Sequence, residues 1–250
     1  MKLSIITVVL NNVQTIDGCM QSVLDQTCPD VEYIVIDGGS RDGTIDVIKK
    51  HKSHITKFIS EPDKGMYDAL NKGVRMASGE IIGFLHADDL YANNKVLETV
   101  ARRMGSNGID CCYGDLVYVR RADPEKIVRH WKSCPFQDGL FQKGWMPPHP
   151  TFFVRRKAYE AHGVFDTRFT ISADYELMLR FFEKHRISSA YIPEVLVKMR
   201  MGGASNRSLR NMMVKTKEDY RAWKVNSLRR RFYTILLKNL SKVRQFFGAG

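Results

Sequence analysis

Two adjacent carboxylates, Asp88 and Asp89, close the segment Glu80-Ile81-Ile82-Gly83-Phe84-Leu85-His86-Ala87-Asp88-Asp89-Leu90, whose first half has the composition of a buried strand. Crowding two like charges at a strand end costs free energy unless solvent or a cation compensates them. In open α/β sheets the carboxyl ends of the strands are also where ligands bind. Such a pair suits a hard divalent cation that takes oxygen ligands and shares a polyphosphate. Read alone, the same residues would serve equally as an Asp-Asp turn capping the next helix.

Two further segments carry polar groups at strand ends. Asp37-Gly38-Gly39-Ser40-Arg41-Asp42-Gly43-Thr44 follows the apolar run Tyr33-Ile34-Val35-Ile36. Its glycines let backbone approach a ligand closely, and the Asp37 carboxylate can accept hydrogen bonds from a nucleobase N–H or a ribose hydroxyl. Thr44 also reads as a helix N-cap. The order Gly-Gly-Ser-Arg-Asp-Gly is neither G-x-G-x-x-G nor a P-loop, which would need Gly-Lys-Ser/Thr. In Ser60-Glu61-Pro62-Asp63-Lys64-Gly65-Met66-Tyr67, Asp63 could meet a base or sugar and Lys64 a phosphate, or the stretch is an ordinary helix start. Asp174 precedes a helical pattern and reads alone as an N-cap, with Glu176 and Leu177 following.

The elements that must position these residues alternate. Leu3–Leu10, Val31–Ile36, Thr56–Ser60 and the run into Asp88 read as strands. Asp17–Gln26, Thr44–His51 and Met66–Ala77 between them read as helices. Spacing of this kind predicts βαβ units and a mostly parallel central sheet flanked by helices. Beyond Leu90 the texture changes. Val96–Met104 is helical, Cys111–Arg120 a strand, Pro124–Gln142 irregular, and Trp145–Pro150 a proline-stiffened loop. Thr151–Arg155 resumes a strand and Ser172–His185 a helix. After Gly202-Gly203 the chain is helical and basic.

The chain has 250 residues, 39 Lys and Arg against 27 Asp and Glu, and a net charge of +12. Twelve of those cations and only two of the acids follow residue 206, so the basicity belongs to the C-terminal part. That argues against a nucleic-acid enzyme with a basic groove and for a tail that meets an anionic surface. Five cysteines without CxxC spacing argue against zinc or a disulfide framework and for a reducing, cytoplasmic setting. No apolar stretch approaches the ~20 residues needed to span a bilayer.

Taken in order, these pieces resemble the inverting family 2 glycosyltransferases of GT-A fold, closest to bacterial enzymes of O-antigen and capsule assembly. The matching residues are Ser4–Val8, Val35–Thr44, Ser60–Ala69, Ala77–Leu85, Asp88-Asp89, His149–Phe153 and Ala173–Glu176. The resemblance spans residues 1–206, with 207–250 as a basic helical tail. It implies that Thr7, Asp37 and Asp63 line the base and ribose pocket, with Lys64 beside a phosphate. Asp88 and Asp89 would hold Mn²⁺ or Mg²⁺ on the donor diphosphate, Asp88 also touching the ribose. Asp174 would be the general base on the acceptor hydroxyl, Arg200 and Gly202-Gly203-Ala204-Ser205 would sit near the diphosphate, and His149, between prolines, is either an acceptor contact or a rigid-loop residue. The first position of the DxD pattern is His86, which leaves open how Asp88 and Asp89 divide the work. The implied partners are a nucleotide-sugar donor, UDP-linked, and a lipid-diphosphate-linked glycan acceptor. A catalytically silent sugar-nucleotide binder of the same assembly system is the alternative, with His86 as its mark. A nucleotidyltransferase would want a Gly-rich basic loop after the first strand, which Asn11-Asn12-Val13-Gln14 does not supply.

From Arg229 to Phe247 the apolar residues Phe232, Leu236, Leu240, Val243 and Phe247 recur every three or four positions, with Arg231, Lys238, Lys242 and Gln245 opposite. This pattern reads as a basic amphipathic helix lying on an anionic membrane, or as a helix packing its stripe on the body.

Overall fold

The computed structural model describes residues 1–105, 108–202, 209–229, 233–235 and 237–238. The alternating first part folds as its periodicity requires. β1 (Leu3–Val9), β2 (Val31–Asp37), β3 (Lys57–Ser60) and β4 (Ile81–Phe84) are parallel, in the order β3-β2-β1-β4. Helices α1 (Ile16–Leu24), α2 (Thr44–Lys50) and α3 (Met66–Met76) connect them. β1 and β4 are buried along their whole length, as continuous apolar runs in a two-sided sheet must be.

The second half adds mixed pairing to this parallel half. β8 (Phe153–Arg155) runs antiparallel to β4 and to β6 (Cys111–Val119), and β9 (Ser189–Arg200) lies parallel to β6. β5 (Asp89–Tyr91) closes the edge antiparallel to β9. The irregular stretch expected over 124–142 contains β7 (Ile127–Trp131), antiparallel to β6. Its half-buried, non-alternating residues carry no period-2 signal. The remaining helices are α4 (Val96–Met104), α5 (Arg156–His162), α6 (Ala173–Leu179) and α7 (Leu209–Val225). Gly83 is where a strand partner comes closest, since a Cβ there would lie 2.4 Å from the Phe153 ring.

One core fills each face of the sheet. Ile6, Ile34, Leu70 and Phe84 pack with α5 and α6 on one side, and Ile5, Met20, Val35 and Leu97 on the other. α7 lies beyond the boundary expected at residue 206, yet its Ala222 and Trp223 belong to the first core. Trp223 Nε1 donates to the Tyr175 hydroxyl at 2.9 Å. Most of the stripe expected over 229–247 lies outside the described residues. Lys238, expected on its polar side, is instead buried and paired with Asp219 at 2.7 Å. The chain there passes so close to the Gly144 turn (φ 82°) that a Cβ at 144 would meet Lys238 N at 2.2 Å.

A buried carboxylate ties the start of the sheet together. Glu32 accepts from Ser4 Oγ, from Ser78 N at 2.7 Å and Ser78 Oγ at 2.8 Å, with Lys57 Nζ at 3.0 Å. Burial pushes its pKa up, but these donors outweigh burial and bring it down to about 2. A depressed carboxylate contributes stability that is fully present above its unfolded pKa and is lost as pH falls through the folded value. The pH dependence of urea midpoints should therefore steepen between about pH 4.5 and 2, a loss of roughly 3 kcal/mol, and Glu32→Gln should flatten that limb. An unchanged acid limb in the variant would assign the loss to other groups.

Candidate active site

The carboxyl ends of β1 to β4 face one side, and the loops after them are stitched together. Gly38 N donates to Val9 O at 2.9 Å, and Asn11 N to Ser40 Oγ at 2.8 Å. Asn11 adopts φ 48°, which lets its Oδ1 accept from Arg41 N at 2.8 Å. Asp37 ends β2 fully buried. Its Oδ2 accepts from Gly39 N, Ser40 N and Ser60 Oγ, while its Oδ1 has no hydrogen-bond partner among the described residues. An orphaned buried acceptor is costly, so Oδ1 calls for a donor from outside the chain. Asp63 lies against the following Gly38. A Cβ on Gly38 would lie 3.1 Å from Asp63 Oδ2, so glycine there leaves room for the Asp63 carboxylate at the end of β2. Lys72 pairs with Asp63.

Three expectations fall differently. Thr7 is fully buried and its hydroxyl accepts from Tyr33 at 3.1 Å, so it underlies this surface without reaching it. Lys64 is exposed, and its backbone N donates to Asp68 Oδ2 at 3.1 Å. Thr44 is the first residue of α2, with Gly43 as N-cap, and it is Asp42 Oδ1 that accepts from Thr44 N.

The run into Asp88-Asp89 is not one strand. β4 stops at Phe84, a turn closes through Asp89 N donating to His86 O at 2.8 Å, and Asp89 opens β5. The following helix α4 is capped at Lys95, which removes the helix-cap alternative for the pair. The two carboxylates have different surroundings. Asp88 is half-buried, whereas Asp89 is fully buried with neither oxygen hydrogen-bonded among the described residues. Burial, and then the charge of Asp88, pushes the Asp89 carboxyl well above its ordinary range. The β5–β9 ladder brings Arg200 beside the pair, where Nη1 donates to Asp88 O at 2.9 Å. Burial pulls the Arg200 guanidinium below its usual pKa, with Asp89 and Asp88 opposing.

A cavity of about 580 Å³ opens next to this turn, with His86, His149, Asp174 and Arg200 in its lining. Asp174 lies in the first turn of α6, whose N-cap is Ser172, so the expected capping role passes to another residue. Asp174 Oδ2 is 3.4 Å from His149 Nδ1 and its Oδ1 is 3.5 Å from the Tyr67 hydroxyl. His149 is fixed by a short turn whose Thr151 Oγ1 donates to Gly114 O, and its ring lies 5.9 Å from that of His86. Burial works against the charged form of Asp174, but His149, Lys215 and Lys238 outweigh it and hold the carboxyl below its usual range. Burial likewise holds the His86 imidazole neutral, against Asp88 and Asp174. The arrangement offers a carboxylate in a chamber whose lining mixes apolar and aromatic side chains with Arg129, Arg200, Lys215 and Lys238.

The glycosyl transferase family 2 profile matches residues 4–171, the larger part of the chain. The chain belongs to glycosyl transferase family 2. A PGL/p-HBAD biosynthesis glycosyltransferase of Mycobacterium bovis is 30% identical over 208 residues, 81% of this chain and 78% of that protein. Among solved structures, S. aureus TarS 1-349 in complex with UDP is similar in fold at a TM-score of 0.64 and 15% identity, over 90% of this chain and 70% of that one. The mannosyltransferase PcManGT of Pyrobaculum calidifontis, in complex with GDP-Man and Mn²⁺, reaches 0.63 at 16% identity, over 100% and 76%. The mixed α/β architecture of this family 2 transferase is thus the GT-A type that the motif order implied.

The family 2 profile ends at residue 171, but Asp174, Arg200, Met212, Lys215 and Lys238 of the cavity lie beyond it. Sequence reasoning missed Tyr67, Lys215 and the burial of Lys238. Tyr67 reads as one more apolar position on α3, and only the fold turns its hydroxyl to Ile171 O at 2.7 Å and to Asp174. The Gly203-Ala204-Ser205 segment lies outside the described residues. No group of three or more His, Cys, Asp or Glu converges on a metal position among the described residues. A half-buried Asp88 followed by a buried Asp89, neither of whose oxygens carries a close hydrogen bond among the described residues, nevertheless fits a divalent cation shared with a ligand's phosphates. Magnesium is usually held by one or two carboxylates in this way.

Proposed function

We propose that this protein is an inverting, metal-dependent glycosyltransferase. It moves a sugar from a nucleotide-sugar, UDP-linked, to a lipid-diphosphate-linked glycan in bacterial surface polysaccharide synthesis. The observation that carries the reading is the charged Asp174 carboxylate in the wall of the cavity that His86 and Arg200 also line, beside the Asp88-Asp89 turn. Support for the donor comes from the fold shared with TarS, of which one structure is in complex with UDP-GlcNAc. Support for a cell-envelope acceptor comes from the PGL/p-HBAD biosynthesis relatives.

In this mechanism Asp174 takes the proton of the acceptor hydroxyl as its oxygen attacks the anomeric carbon. The bond to the nucleoside diphosphate breaks on the opposite face, so the configuration inverts and no covalent enzyme intermediate forms. His149 and Tyr67 hold the carboxylate in place for that transfer. Asp37 Oδ1 and Asp63 bind the base and ribose, and Lys64 a phosphate, while Thr7 supports their strand from below. Asp88 is the carboxylate for Mn²⁺ or Mg²⁺, with Asp89 buried behind it; the cation, when bound, offsets the charge of the departing diphosphate. Arg200 braces the turn through Asp88 O and presents its guanidinium to the cavity. The enzyme works in the cytoplasm at the inner face of the membrane. No helix among the described residues is long and apolar enough to cross a membrane.

Thermal unfolding with a panel of nucleotide-sugars tests the reading. A UDP-sugar at a hundred times its dissociation constant stabilises by about 2.7 kcal/mol, which raises Tm by roughly 5–10 °C for a domain of this size. The rise should require Mn²⁺ or Mg²⁺ and vanish in Asp88→Ala. Stabilisation by no nucleotide-sugar would overturn the assignment. Stabilisation without UDP release in the presence of any acceptor would leave the silent binder.

A further inference from the structure

The mouth of the cavity has a composition that donor chemistry does not explain. Met66, Met201 and Met212 line it while 46%, 44% and 56% exposed, and Met213 beside them is 63% exposed. Exposed apolar side chains gathered at one opening mark a binding surface, and methionines adapt to irregular hydrocarbon. They stand on three separate segments, namely the start of α3, the bend just after β9 and the start of α7. Only the fold brings them together.

The charge of α7 is sorted in a complementary way. Its two acids turn inward. Glu218 accepts from Thr170 N, Ile171 N and Ser172 N, and Asp219 pairs with Lys238. Arg210, Lys217 and Lys224 are exposed, so this face presents cations around exposed methionines. A protein partner would be met by mixed charge, whereas apolar side chains ringed by unopposed cations match an anionic lipid surface.

We propose that the methionine mouth and the outer face of α7 seat the protein on an anionic lipid leaflet, so that the cavity opens towards the membrane. The first hydrocarbon units of the acceptor then lie against Met66, Met201 and Met212 while its sugar enters towards Asp174. This extends the lipid-linked acceptor reading above. It places the membrane contact on α7 and the cavity rim, not on the stripe of residues 229–247.

Co-sedimentation of the full chain with vesicles tests it, comparing phosphatidylglycerol/phosphatidylcholine mixtures with phosphatidylcholine alone. The wild type should sediment with the anionic vesicles, and less so at 0.5 M salt, a condition chosen because screening weakens the cationic contribution. Met212→Asp with Met213→Asp should lower the partition at least tenfold, and Met212→Leu with Met213→Leu should restore it. An unchanged urea midpoint and slope in the aspartate variant shows that its fold survives. Undiminished binding by that variant, or no binding by the wild type, overturns the proposal. UDP release with a water-soluble acceptor is measured separately. Its absence in the wild type would count against the transferase reading, while the vesicle result judges the membrane surface alone.

Discussion

Asp174→Asn lowers the rate of sugar transfer by about 10²–10⁴-fold, the usual contribution of a positioned general base, while donor-induced thermal stabilisation persists. The substitution keeps the shape of the side chain and its place in the first turn of α6, but removes the basic oxygen. The half-buried wild-type carboxylate is held below its usual pKa range, because His149, Lys215 and Lys238 outweigh the cost of partial desolvation. Its depressed pKa means that the base stays competent until pH falls through the low carboxylate range. Steady-state UDP release with an acceptor present gives the rate, and thermal unfolding gives donor binding. A variant that transfers sugar at the wild-type rate would move the base elsewhere in the cavity, with His149 as the nearest other candidate.

Trp223→Ala lowers stability by about 3–5 kcal/mol, as the loss of a large buried aromatic does. Trp223 is fully buried in the core that also holds Phe84, Phe141 and Phe182, and its indole N–H satisfies the Tyr175 hydroxyl. The change leaves both a void and a Tyr175 hydroxyl without that donor, on the residue that follows Asp174. Urea unfolding measures it as a drop in midpoint at constant slope. A loss under 1 kcal/mol would mean that α7 contributes little to the body. The same packing bears on any truncation near residue 206, which would remove Trp223, Glu218 and Lys238 together with whatever binds lipid.

The parallel half was legible because its signals are local. Apolar runs of strand length alternate with helical spacing from Leu3 to Phe84, and each run ends in a polar loop of distinctive type. The structure moved most of those boundaries by only one or two residues. β5, β7, β9 and α5 were not legible. β9 mixes buried and exposed residues irregularly and pairs with β6, some seventy-eight positions earlier, through two register shifts. β7 lies at an edge where half-burial erases the alternation. The tail reading went astray at Lys238 for a related reason. A lysine on a polar stripe looks solvated until a buried Asp219 is known to wait for it.

By itself the sequence determined the alternating architecture, the order of loop motifs and the family they denote, since all of these reside in short-range spacing and residue type. It also determined which residue types were available for chemistry. Only the tertiary structure decided their roles relative to one another. It set Asp88 half-open and Asp89 fully buried, withdrew Thr7 behind Tyr33, and joined His149, Tyr67 and Asp174 from three distant segments. Burial and mutual distance govern a carboxylate's charge and reach, and both are properties of long-range packing that no local pattern encodes.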